Sequence, residues 1–178
     1  PWVLALHGIL GGHEQFAYFN ELPARLIIPD LPGHGANRDL RPEQLLGGTA
    51  SLLEELLEEL KVREYVLVGF SLGGYLAQQL IARGATPRAL ALLGTADKLP
   101  HDGLLSRFNI PTRLEPFATK HAELIASIVD GYRHLSGLHI SVEGRLDIET
   151  ALEYIKALEG VSFSGSNADI TCKTLVAH

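Results

Sequence analysis

Five short apolar runs punctuate the chain: Trp2–Leu6, Arg25–Pro29, Tyr65–Val68, Arg88–Leu93 and Lys173–Ala177. They are apolar without a polar alternation. That is the pattern of parallel strands buried on both faces of a sheet. Between them the period changes. Over Glu43–Leu60 the leucines at 45, 46, 52, 53, 56, 57 and 60 fall on one stripe, with Glu54, Glu55, Glu58 and Glu59 opposite. This predicts an amphipathic helix whose acidic side is a solvated surface. Gly74–Arg83 predicts a second helix, with Gly84 as its stop at C′. Strand and helix in alternation predict an α/β fold: a doubly wound, mostly parallel sheet with right-handed crossovers.

The rhythm breaks after Ala96. From Asp97 to Leu158 the chain shows helical patterns at Lys120–Tyr132 and Asp147–Leu158, with Asp147 as a cap for the latter, and no strand between them. This is too much chain for a simple crossover. It reads as a helical insertion, a cap over a site; the plainer alternative is a pair of crossover helices with irregular links. The expected organisation is a first core part over 1–96, a cap over 97–158, and a return to the core over 159–178.

Composition narrows the field. The chain has 178 residues, 46% of them hydrophobic, enough for one domain that buries about 70% of its unfolded surface. A net charge of −6 argues against a general nucleic-acid binder. No apolar run reaches the ~18 residues of a membrane span, and no leader pattern is visible, so the expected location is cytoplasmic. The single cysteine, Cys172, excludes an internal disulfide and a cysteine-based metal site; it reads as an inert core residue. No His-x-x-x-His and no carboxylate cluster points to a metal. No Gly-x-Gly-x-x-Gly follows a strand, so no dinucleotide site is indicated. The expectation is no cofactor and a small-molecule substrate. The chain opens on Pro1 directly into a strand and contains no methionine, which suggests a segment of a longer protein.

The chemistry concentrates in Gly69-Phe70-Ser71-Leu72-Gly73, a G-x-S-x-G pattern between a strand signal and a helix signal. A serine on so sharp a turn is forced outward. Glycines flank it because a β-carbon there collides with the adjoining strand and helix. Ser71 also lies by the helix N-terminus, where free N–H groups favour developing negative charge. His7-Gly8-Ile9-Leu10-Gly11-Gly12 follows the first strand. Its glycines let backbone N–H groups turn toward a point near Ser71. A nucleophile attacking a carbonyl creates an oxyanion, and two preorganised donors stabilise it; the candidates are the N–H of Leu72 and of Ile9. Asp30-Leu31-Pro32-Gly33-His34-Gly35 ends the second strand as a tight turn, with Asp30 and His34 read as turn-fixing residues. Phe70, Leu10 and Leu72 are expected to line a mainly apolar pocket.

Leu6-His7-Gly8, Asp30–Gly35 and Gly69–Gly74, in that order and spacing, resemble the α/β-hydrolase superfamily. Thr174–His178 resembles the strand that follows the cap in this family. The resemblance covers about 1–94 and 170–178 and implies a Ser71 nucleophile with oxyanion donors at Leu72 and Ile9. A serine here argues against the branches that use aspartate. The family order is nucleophile, acid, histidine, and the acid and histidine are expected beyond His178. Without a base a serine hydroxyl is a poor nucleophile. Asp97, after the fourth strand, is the candidate alternative acid; His101, His121, His134 and His139 read as surface or structural, and His178 is not read as the base. The three motifs also resemble the menaquinone-pathway lyase branch, which eliminates pyruvate from a multiply anionic substrate. Such relatives carry arginine one helical turn after the serine, facing the site. Here that position is Tyr75, a candidate substrate-binding residue, and tyrosine before the serine is replaced by Phe70. Arg107, Arg113, Arg133 and Arg145 in the insertion are the available compensating cations. The main expectation is therefore a serine hydrolase of an ester-like acyl substrate. The alternatives are the lyase and a non-catalytic binding protein of the same fold.

Overall fold

A computed structural model describes residues 1–9, 11–98, 148–158, 161–165 and 170–177. The sheet is built from β1 (Trp2–Leu6), β2 (Arg25–Ile27), β3 (Tyr65–Phe70), β4 (Ala89–Leu93) and β5 (Lys173–Ala177). Its order is β2-β1-β3-β4-β5, and every neighbouring pair is parallel. The helices are α1 (Leu45–Glu59), α2 (Leu72–Ala82) and α3 (Ile148–Leu158), with a 3₁₀ segment over His13–Glu21 kinked at Phe16. This is the doubly wound α/β architecture that the alternation predicts.

The chain runs from β1 outward to β2, then returns past β1 to β3 and continues to β4 and β5. The winding therefore reverses between β1 and β3. At such a switch point the connections leave in opposite directions, and a crevice opens at the C-terminal strand ends. In register, Leu6 stands opposite Gly69, so the residues just after β1 meet those at the end of β3.

The pleat sends alternate residues to two cores. Leu4, Leu6, Leu67, Leu90 and Leu92 face α1, α2 and α3 and form the larger one. Val3, Ala5 and Val68 face the other way onto Phe16 of the 3₁₀ segment. The expectation of burial on both faces therefore holds for β1 and the middle of β3 but fails at the far edge. All five residues of β5 are exposed, Leu175 to 60% and Val176 to 53%. Among the described residues β5 pairs with β4 and with no other strand. Cys172, just before it, is half-buried rather than deep in the core.

Element ends shift for local reasons. β2 stops at Ile27, two residues before the expected end, because Pro29 has no N–H for the ladder. β3 runs on to Phe70, and α2 begins at Leu72, not Gly74. The whole turn is made by one residue, Ser71. α3 covers the predicted Asp147–Leu158 helix from Ile148. Its Tyr154 is fully buried, and its hydroxyl lies 2.9 Å from Thr49 Oγ1 of α1. The rest of the expected cap, including Lys120–Tyr132, the four histidines and the four arginines named there, lies outside the described residues. Among the described residues no helix is long and apolar enough to cross a membrane.

Candidate active site

Ser71 has φ 50° and ψ −112°, a backbone conformation that side-chain-bearing residues rarely adopt. It is affordable because the surroundings fix it on every side. Ser71 N–H donates to Leu93 O of β4 at 2.9 Å, and Gly73 N–H to His7 O at 3.0 Å. The flanking glycines admit this packing. A β-carbon on Gly69 would lie 2.6 Å from Gly74 Cα in α2, and one on Gly73 would run into the backbone of Leu6. The collision read from the sequence therefore has named partners. The turn leaves the Ser71 side chain half-exposed at the switch point.

The loop after β1 closes over this serine. A β-carbon on Gly8 would stand 3.3 Å from Ser71 Cβ and 2.9 Å from Phe70 Cδ1. The polar groups of the loop are committed one after another. His7 O accepts from Gly73. Gly8 N–H donates to Gln15 Oε1 at 2.8 Å. Gly8 O accepts from Gly11 N–H at 2.9 Å and from His7 Nδ1 at 2.8 Å. Ile9 O lies 2.6 Å from His34 Nε2. Among the described residues, the N–H of Ile9 is left without an acceptor. The same holds at the elbow: the N–H groups of Ser71, Gly73 and Gly74 all have acceptors, and that of Leu72 has none. No hydrogen bond from a described residue reaches Ser71 Oγ.

Two histidines bind the β1 loop to the turn after β2. His7 Nε2 accepts the Leu31 N–H at 2.9 Å, so its proton is on Nδ1, where it bonds Gly8 O. His7 is fully buried. Burial above all, and then the nearby charge site of His34, lower its pKa to about 4 against the opposing bond to Gly8. The neutral tautomer is thus the one the loop requires. The His34 ring meets His7 edge-on, with centroids 4.9 Å apart, and its Nδ1 lies 3.0 Å from Pro32 O. Asp30 accepts from the N–H groups of His13 and Ala36 and from the His13 ring. Burial alone would raise its pKa, but these bonds outweigh burial and hold the carboxyl below its ordinary range. Asp30 and His34 thus fix the turn, as read from the sequence. His13, Glu14 and Asp30 bring donor atoms within 4.8 Å of one another. Asp30 spends its oxygens on three protein donors there, and the group works as a clasp between two loops.

The other sequence candidates fall as follows. The Phe70 ring packs between Gly8 and Gly94 and against the smaller core. Tyr75 is buried in the larger core with its ring 6.4 Å from that of Phe163, a position more interior than a pocket wall. Leu72 and Ile9 are buried as whole residues and pack in the larger core. Leu10 and His178 lie outside the described residues. Asp97 is tied into a short bridge: its O accepts from Phe163 N–H at 2.8 Å and its Oδ2 from Ser164 Oγ at 2.7 Å. No described histidine is bonded to it. The clasps made by Gln15 and His7 were not legible. Nothing in the spacing of a glutamine marks it as an acceptor for a residue seven positions away.

A family model described as the alpha/beta hydrolase family matches residues 3–158, and the chain belongs to that family. Among curated relatives, 2-succinyl-6-hydroxy-2,4-cyclohexadiene-1-carboxylate synthase of Photorhabdus laumondii is 33% identical over 116 residues, which is 57% of this chain and 41% of that protein. The chain therefore spans well under half the length of that relative. Among solved structures, the N-acyl homoserine lactonase AidH, complexed with N-butanoyl homoserine, is 33% identical with a TM-score of 0.50 over 55% of this chain and 38% of its own. An esterase from Exiguobacterium antarcticum aligns over 99% of this chain and 72% of its own, with a TM-score of 0.70 and 22% identity. That likeness speaks for the fold alone.

Proposed function

We propose that the protein is a serine-dependent hydrolase of a small ester-like acyl substrate, with Ser71 as nucleophile. One observation carries this reading. Among the described residues the N–H groups of Ile9 and Leu72 have no acceptor, and they belong to the two loops that meet at the half-exposed, backbone-strained Ser71. Attack by Ser71 Oγ on a carbonyl carbon pushes an electron pair onto the carbonyl oxygen. That oxygen then accepts from both N–H groups in a setting that needs no reorganisation. The alcohol leaves as the tetrahedral species collapses, and water hydrolyses the acyl-enzyme. A base must take the Ser71 proton. His7 and His34 are engaged in holding loops, so the base and its acid partner are sought outside the described residues; Asp97 is the weaker choice for the acid because it is bonded to Ser164. The likeness to a lactonase, an enzyme named for opening a cyclic ester, supports acyl chemistry of this class.

The lyase reading has an observation of its own, the 33% identity to the synthase. The position where such lyases carry a pocket arginine holds Tyr75 here, buried against Phe163. A phenol cannot pair a substrate carboxylate as a guanidinium does. The deciding experiment uses the full-length protein. A fluorophosphonate probe is expected to label Ser71, and aryl esters of graded chain length are expected to turn over in wild type but not in Ser71→Ala. Labelling that persists in Ser71→Ala overturns the nucleophile assignment. Release of pyruvate from the synthase substrate, with no ester turnover, would favour the lyase. Tight ligand binding without turnover would favour a binding protein.

A further inference from the structure

We infer that Gln15 is a positioning residue that aims the Ile9 N–H at the crevice beside Ser71. The inference rests on the Ser71 reading above and adds to it a residue that no motif contains. Gln15 sits on the 3₁₀ segment, away from the strands that carry the site, and its carboxamide oxygen accepts the Gly8 N–H at 2.8 Å. The Gly11 N–H to Gly8 O bond closes a four-residue turn with Ile9 next to its start. A β-carbon on Gly11 would lie 2.8 Å from Gln15 Oε1 and 3.4 Å from its Cδ. The carboxamide is therefore bonded at Gly8 and fills the space that a side chain on Gly11 would need.

The consequence follows from the planarity of the peptide unit. Gly8 O points at His7 Nδ1 and Gly11 N–H, so the Ile9 N–H, on the opposite side of the same plane, points away from them. Gln15 fixes the preceding plane through Gly8 N–H. Loss of that bond leaves Gly8 held only through its carbonyl and through His7 O, so the peptide that carries the Ile9 donor is held less tightly. A neutral amide suits the place: it supplies an acceptor without adding charge near a developing oxyanion.

The test compares Gln15→Leu, which keeps shape but removes the acceptor, with Gln15→Glu, which keeps an acceptor oxygen. Turnover per active site, counted by fluorophosphonate titration, is measured on the full-length protein with its best aryl ester. Gln15→Leu is expected to lower kcat about tenfold, less than the roughly 100- to 1,000-fold loss when an oxyanion donor is removed outright, with KM changed by less than about twofold. Gln15→Glu is expected to recover part of that loss. A structural role alone would lower the titrated fraction and leave kcat per titrated site intact, and that result overturns the inference. Wild-type protein without Ser71-dependent turnover overturns the Ser71 reading together with this one. An active wild type whose kcat survives Gln15→Leu overturns this one alone.

Discussion

At the scale of single residues, the same chemical change carries different costs for different reasons. Gly73→Ala would drive a methyl group into the Leu6 backbone, and neither partner can yield without breaking the β1–β3 register. We expect a loss of at least about 2–3 kcal/mol, read as a fall in the urea midpoint. Gly84→Ala meets nothing within 4 Å, yet its φ of 101° is closed to side chains. Its expected cost is about 1 kcal/mol and purely conformational. Ser71 is the counterpart of both. It has a side chain where glycine would be at ease, a strain on the order of 1–3 kcal/mol. Ser71→Gly is therefore expected to melt no lower than wild type while losing all turnover, whereas Ser71→Ala keeps the strain. A melting temperature for Ser71→Gly well below that of Ser71→Ala would contradict this account.

At the scale of elements, the helix ends show what local sequence can and cannot enforce. α1 and α2 finish in the same way, with a residue of positive φ just past the last turn: Lys61 at 55° and Gly84 at 101°. Around the first, Val62 N–H bonds Leu57 O and Lys61 N–H bonds Glu58 O, a Schellman closure. Because lysine bears a β-carbon there, Lys61→Gly is expected to gain up to about 1 kcal/mol in chemical denaturation. Docking of α3 includes a polar contact in an apolar setting. The Tyr154 hydroxyl meets Thr49 Oγ1, both residues being fully buried. Burial, more than the opposing bond to Thr49, pushes the phenol pKa up to about 12, so it stays protonated. Tyr154→Phe would strand the Thr49 hydroxyl and should cost about 1–3 kcal/mol; Tyr154→Phe with Thr49→Val should recover much of it.

At the scale of the whole molecule, the loops beyond β1 and β2 behave as one unit held by histidines, and this makes stability depend on pH. An unfolded His7 takes up a proton near 6.5, whereas the folded one resists until about 4. The folded state thus binds fewer protons in this window. Its advantage is complete above pH 6.5 and declines as the pH falls toward 4, by about 3 kcal/mol in all. The expected measurement is a melting temperature that drops between pH 6.5 and 4 in wild type. The drop should be shallower in His7→Asn relative to that variant's own neutral-pH value. Protonation at Nε2 would also set a donor against the Leu31 N–H, parting the loops that frame Ser71.

Much of this was legible in the chain because it depends on local rules. The strands, the amphipathic α1, the Gly84 stop and the serine between two glycines follow from side-chain period and from where a β-carbon fits. Those constraints act over a few residues, so the letters alone determined them, and with them the α/β class and the elbow. Tertiary structure decided the rest. Only the β1–β3 register brings Gly8 over Ser71. Only the loops folded together show which N–H groups keep an acceptor and which do not. Gln15, His7 and Asp30 find partners 7, 24 and 17 positions away. A hydrogen bond between distant positions leaves no period in the sequence, so it can be read only once the chain has brought its two ends together.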